Sequence, residues 1–222
     1  MRWMKWMLVS ILLLGPLLAI AQKPITLSWL PSSFVETDAG ITGGAEIRLN
    51  QRWALLSDAG IIFFTPYRNE TNGGRDGILG YKIKPEVRWY FKNRGKYPND
   101  GGFVSIEGLY KHVNYRRYDG LPVYDNLGNL AYTYYGGYRI VKDVLGGAVK
   151  FGYRRFFGPQ YKMGLEMYWG FGSREKNFAV RDLPPGGSFN RTFFNTRLFN
   201  THWQEGSLAS FPFGVKFLWK IR

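Results

Sequence analysis

The sequence predicts an all-β protein: an eight-stranded antiparallel transmembrane β-barrel that follows an N-terminal signal peptide. Three observations lead there. The N-terminus is built for export, long segments alternate between apolar and charged residues, and the composition is rich in aromatics and glycine.

The first element is the export segment. Arg2 and Lys5 form a basic start, and Met7 to Leu18 form an apolar stretch broken by Gly15-Pro16. Ala19-Ile20-Ala21 then places small residues around one variable position, the pattern a signal peptidase cuts, so cleavage is expected after Ala21. The expected division is residues 1–21 as signal peptide and 22–222 as the barrel domain. A retained membrane helix is the competing reading, but it needs ~20 apolar residues without such a break.

The strands come next, and three of them carry the clearest signal. Ile83, Pro85, Val87, Trp89 and Phe91 occupy one parity, while Lys82, Lys84, Glu86, Arg88, Tyr90 and Lys92 occupy the other. Side chains alternate between the two faces of a strand, so this segment has one apolar and one charged face. Tyr161, Met163, Leu165, Met167, Trp169 and Phe171 repeat the pattern against Lys162, Gly164, Glu166, Tyr168, Gly170 and Gly172. So do Phe211, Phe213, Val215, Phe217, Trp219 and Ile221 against Pro212, Gly214, Lys216, Leu218, Lys220 and Arg222. Runs of about 10 to 12 residues suit a tilted strand crossing a bilayer and exceed the usual soluble strand.

Five weaker strands complete the eight: Ile25 to Pro31, Gly43 to Leu49, Trp53 to Phe64, Phe103 to Tyr115 and Tyr138 to Phe156. Their connections are expected to alternate in length. Asn50-Gln51-Arg52 and Gly158-Pro159-Gln160 are short, whereas Thr65 to Gly80, Arg116 to Gly137 and Ser173 to Ser210 are read as long loops. That asymmetry belongs to barrels whose short turns face the periplasm, with both termini on that side. The stretch from Lys92 to Gly101 is longer than the rule prefers.

Composition narrows the class. The 222 residues carry 18% aromatics, 28 glycines and a net charge of +14, or +12 without Arg2 and Lys5. No cysteine is present, which excludes both an acylated lipoprotein start and a small disulfide scaffold. Basic residues spread along the whole chain rather than gather in a patch, so nucleic acid is not an expected partner. A soluble β-sandwich or lipocalin-like barrel would also alternate, but its apolar face would be mostly aliphatic. Here Trp, Phe and Tyr dominate, as in the aromatic girdles of membrane barrels.

Laid out in this way, the chain resembles small outer-membrane barrels of the OmpA and OmpX type, and is similar to an uncharacterised family of such barrels. The resemblance rests on Gly44-Ala45-Glu46-Ile47-Arg48-Leu49 before a short turn, Pro85-Glu86-Val87-Arg88-Trp89-Tyr90-Phe91 in mid-chain, and Gly102-Phe103-Val104 opening a strand. It implies insertion by the barrel-assembly machinery and a location in the bacterial outer membrane. One departure stands out: such barrels usually end in an aromatic, and this chain ends Trp219-Lys220-Ile221-Arg222.

Parity then assigns candidate residues. Glu46, Arg48, Glu86, Arg88, Glu107, Lys150, Glu166 and Lys216 are expected inside, as a charge network filling the lumen. Trp89, Phe91, Trp169, Phe171, Phe217 and Trp219 are expected to face lipid. A possible binding surface for lipopolysaccharide or another ligand lies in the final loop, where Arg191 and Arg197 are interleaved with Phe193, Phe194, Phe199 and Trp203. Catalytic chemistry has little to draw on. Only His112 and His202 occur, with no Cys and no His pair at ligand spacing, so no cofactor, metal or catalytic residue is assigned. The loop acids Asp119, Asp125 and Asp182 are a weak calcium alternative. The expected function is a non-catalytic structural or surface-binding component of the outer membrane. A lipid-A-modifying enzyme and a narrow pore stand as alternatives.

Overall fold

The computed structural model describes residues 24–36, 38–65, 75–93, 100–158, 160–182 and 206–221. The segment read as a signal peptide, His202 and the arginine-aromatic stretch of the final connection lie outside these residues. Among the described residues nine strands and one short 3-10 turn follow in order: β1 (Ile25–Trp29), η1 (Pro31–Phe34), β2 (Ala39–Arg48), β3 (Trp53–Phe64), β4 (Arg75–Asn93), β5 (Gly101–Tyr124), β6 (Leu130–Phe157), β7 (Met163–Arg181), β8 (Gly206–Ser210) and β9 (Phe213–Lys220).

Every neighbouring pair is antiparallel, and pairing of β1 with β9 closes the sheet on itself. The ring has eight places rather than nine. β8 and β9 both pair with β7 in one unbroken register, from Gly172 with Ser210 to Met163 with Trp219. They are one strand interrupted at Phe211-Pro212, where proline can donate no ladder hydrogen bond.

The stagger follows from the registers. Thr26 reaches Gly172 of β7 through Glu46, Leu56, Glu86, Glu107 and Ala148. In the other direction it pairs with Lys220, whose N–H donates to the carbonyl of Lys162, ten residues away from Gly172. Ten residues of rise across eight strand spacings tilt the strands by about 40°.

The lengths of the connections differ from the expectation. The segment from Arg116 to Gly137 is not a loop: β5 and β6 continue as a ladder to Tyr124 and Leu130. A tight turn joins them, in which the Asp125 carboxylate accepts from the N–H groups of Leu127 and Asn129, and Gly128 takes a φ of 84°. Those N–H donors, that of Asn129 foremost, hold the Asp125 carboxyl below its ordinary range. Likewise β4 starts at Arg75 and β7 runs to Arg181, inside stretches expected to be loops. Gly, Asp, Asn and Pro residues hid these extensions, because their own strand propensity is weak while cross-strand pairing supplies the hydrogen bonds. The first strand is shorter than expected. It leaves the wall after Trp29, and Pro31 starts η1 instead.

Pro85 stands in mid-strand, where proline is ordinarily excluded. The β4–β5 pairing lapses there, between Ile83 with Tyr110 and Glu86 with Glu107, and the Pro85 ring lies against the side-chain-free face of Gly108.

One parity faces inward around the whole ring. The buried inner face carries Glu46, Asp58, Lys82, Glu86, Arg88, Lys150, Arg154, Glu166 and Lys216. Two small apolar clusters of described residues share the interior with these charges, Leu30, Ala54, Tyr90, Phe103 and Tyr168 in one and Ile62, Val113, Tyr115, Tyr138 and Ile140 in the other. The outer face is the reverse of a soluble surface. It exposes Leu27, Trp29, Ile61, Tyr81, Ile106, Phe157, Met167 and Phe213, with many other large apolar residues.

Candidate functional site

The interior charges lie at two levels. At the lower level two guanidiniums bridge two carboxylates. Arg88, fully buried on β4, donates to both oxygens of Glu166 at 2.6 and 2.8 Å and to Glu46 at 3.2 Å. Arg154 of β6 donates to both oxygens of Glu46 at 2.7 and 2.6 Å and to Glu166 at 2.9 and 2.7 Å. The planar guanidinium fork matches carboxylate geometry, so each arginine satisfies two acids that would otherwise repel each other. The Tyr90 hydroxyl adds a bond to Glu46 at 3.0 Å, and the Phe103 ring lies 4.4 Å from the Arg88 guanidinium carbon.

The network extends around the inner wall. Arg88 Nε donates to Glu86 at 2.5 Å, and Lys150 Nζ bridges Glu86 at 2.5 Å and Glu107 at 2.6 Å. Lys216 holds Asp58 at 2.5 Å, with Ser28 donating to the other oxygen at 3.2 Å. Asp58, Glu86 and Glu107 lie close enough together to share a cation. Lys150 and Lys216 already place ammonium groups on all three, so the chain supplies its own counter-ions there.

Seven of the eight residues expected in the lumen network therefore lie together. Arg48 does not: it sits at the end of β2 and donates to the carbonyls of Asn50 and Gln51 at 2.7 and 2.8 Å, bracing the β2–β3 turn. Its parity is right, but at a strand end a long side chain finds free turn carbonyls within reach. Sequence reasoning missed Arg154, although it shares the parity of Lys150. The run Tyr153-Arg154-Arg155-Phe156 shows no alternation of its own. It also missed Asp58, whose neighbours on the same parity are Leu56 and Ala54.

The upper level is built by the connection between β1 and β2, which folds into the ring instead of over it. The Ser33 hydroxyl donates to the Gly40 carbonyl at 2.6 Å, and Leu30 N–H donates to Thr42. Glu36 accepts from Lys82 at 2.8 Å and Lys84 at 3.5 Å, and Asp38 pairs with Lys142 and, at 3.4 Å, with Lys111. Burial alone would raise the Glu36 carboxyl, but Lys84, Lys82 and Lys111 together hold it down at about 2. A cavity of about 570 Å³ opens between this connection, β5 to β7 and the β8–β9 break.

The expected outer aromatics Trp89, Phe91, Trp169, Phe171, Phe217 and Trp219 are all exposed on the outer wall. Several stack on neighbours, as Trp29 does on Phe217 at 5.8 Å and Phe151 on Trp169 at 5.2 Å. His112 is also on this face, with Nδ1 2.7 Å from Asp143 of β6 and its ring 5.5 Å from that of Tyr81. Of the three acids weighed for calcium, Asp125 is taken up by its own turn and Asp182 lies 3.7 Å from Arg139. Arg191, Phe193, Phe194, Arg197, Phe199 and Trp203 lie outside the described residues.

Among solved structures, the chain is similar to the crystal structure of CarO2 from Acinetobacter baumannii. The identity is 12%, the alignment covers 89% of this chain and 98% of that one, and the TM-score is 0.41. A search of the curated proteins found no match. The model of the family described as "Protein of unknown function (DUF3575)" matches residues 32–183, more than two thirds of the chain, and the protein belongs to that family.

Proposed function

We propose that this protein is a non-catalytic barrel of the bacterial outer membrane, small and eight-stranded like those of the OmpA and OmpX type. Its role is structural or surface-binding, its lumen is closed by the charge network, and it follows a signal peptide cleaved after Ala21. One observation carries the reading: the ring is inverted relative to a soluble protein, with charge inside and a continuous apolar surface outside. In water such a surface would cost about 25 cal/mol per Å² and would associate; in hydrocarbon it costs nothing. Closure matters equally, because an open sheet edge has no hydrogen-bonding partner in lipid.

Its partners in this reading are outer-membrane lipid and lipopolysaccharide, with the barrel-assembly machinery acting during insertion. The protein should fractionate with outer membranes and migrate differently on gels before and after boiling, because a closed barrel resists detergent until heated. Recovery as a soluble periplasmic protein would falsify the proposal.

A further inference from the structure

The cavity of about 570 Å³ at the upper level has a charge imbalance that the network does not absorb. Its lining includes the carboxylates Glu36, Asp38 and Glu107 and the cations Lys84, Lys111, Lys142, Arg174 and Lys176. Glu107 is bonded from below by Lys150, while Glu36 and Asp38 each already hold two ammonium groups. The balance of the pocket is therefore positive.

Arg174 is the focus of that excess. Among the described residues its Nε is buried and makes no hydrogen bond. A buried unmet donor is costly, and more so on a cation, so the position calls for an acceptor. The strands approach closely beside it, and no side chain stands opposite it on β6. Gly146 is its direct cross-strand partner on β6, and a Cβ there would lie 3.1 Å from the Arg174 Cβ.

The wall beside the cavity is interrupted. Among the described residues β8 pairs only with β7, because β1 has left the ring at Trp29, and the ladder lapses at Phe211-Pro212. Phe211 and Phe213 line the cavity and yet are about three-quarters exposed on the apolar outer face. The cavity thus joins a cationic interior to an apolar exterior.

We propose that this cavity is an anion site that takes a phosphate group, free or at the head of a lipid, with Arg174 as its principal ligand and Lys111 beside it. A tetrahedral phosphate offers pairs of acceptor oxygens along its edges, which a planar guanidinium binds in bidentate fashion. A volume of this size fits a headgroup-sized ligand. The lipid source rests on the outer-membrane reading; the phosphate site itself does not.

The test uses purified protein in a phosphate-free nonionic detergent, titrated with inorganic phosphate and followed by calorimetry. A second arm uses protein in phosphatidylcholine nanodiscs with and without phosphatidic acid, followed by ³¹P NMR. Saturable binding is expected in at least one arm, and the arm identifies the source. Arg174→Gln should weaken it by about tenfold or more. Ser210→Phe, which fills the cavity from the neighbouring strand β8, should do the same, while Arg139→Gln on the outer face should bind as wild type. Heat-modifiable migration of each variant shows that it is folded. Absence of saturable binding in both arms, or undiminished binding by folded Arg174→Gln, overturns the site. Failure of the membrane reading shows separately, as failure of the wild type to insert into nanodiscs.

Discussion

At the scale of single residues, Arg88 and Arg154 occupy equivalent chemical positions and Arg48 does not. Removing either of the first two leaves Glu166 buried with half its donors gone, and takes from Glu46 one bond with Arg88 or two with Arg154. Breaking a buried pair in this way costs on the order of 3 kcal/mol or more, chiefly because the remaining charge is stranded. Arg88→Ala and Arg154→Ala should each lower the urea midpoint of unfolding clearly, whereas Arg48→Ala, which loses only turn contacts near the surface, should shift it little. Equal midpoints for all three would mean that the interior is wet enough to screen the stranded acids. Glu36 gives a second residue-scale expectation, in pH. Its carboxyl is held at about 2 in the folded protein against 4.5 for an ordinary glutamate. A depressed carboxylate contributes stability that is complete above pH 4.5 and lost as pH falls from there through 2. Between those limits the wild type should lose stability more steeply than Glu36→Gln, as read from unfolding midpoints at successive pH values.

At the scale of strands, close approach of backbones decides which positions tolerate a side chain. Gly152 of β6 lies inward between Phe103 of β5 and the backbone of β7. A Cβ there would come within 2.3 Å of the Phe103 ring and 2.8 Å of the Met167 carbonyl oxygen. The ring can turn, but the carbonyl belongs to the β6–β7 ladder and cannot. Gly43 of β2, by contrast, has only the Ser28 carbonyl at 3.5 Å. Gly152→Val should therefore destabilise by about 1 to 3 kcal/mol, in line with overpacking, and Gly43→Ala should be close to neutral. Refolding yields in detergent and unfolding midpoints of the two variants check the contrast. A neutral Gly152→Val would show that β6 and β7 separate more easily than their register suggests.

At the scale of the whole molecule, the ring's stagger, its two charge levels and its apolar exterior make one coherent object. An eight-stranded barrel encloses just enough room for its own side chains. With Arg88, Arg154, Lys150 and Lys216 each bonded to carboxylates across the interior, steady channels of porin size are not expected in planar bilayers. The outward tryptophans Trp89, Trp169 and Trp219 should be quenched by brominated acyl chains after insertion. Steady large conductance would show an open lumen, and unquenched tryptophans in inserted protein would invert the assignment of faces.

What the sequence determined by itself was parity. Because strand side chains alternate strictly, Glu86, Arg88, Glu166 and Lys216 could be assigned to one face, and Trp89, Trp169 and Trp219 to the other, without knowing which strands pair. Strand number was legible for the same reason, since each turn between alternating runs leaves its own Gly, Asn or Pro. Tertiary structure decided the rest. Register around the closed ring brings Arg154 between Glu46 and Glu166, residues 108 and 12 positions away in sequence. It also turns Arg48 aside to a local turn and extends β5 and β6 through stretches whose composition reads as loop. The inward fold of the β1–β2 connection, and with it the cationic cavity beside Pro212, follows from where β1 leaves the wall. That choice depends on hydrogen-bonding partners far away in the chain, and no local pattern records it.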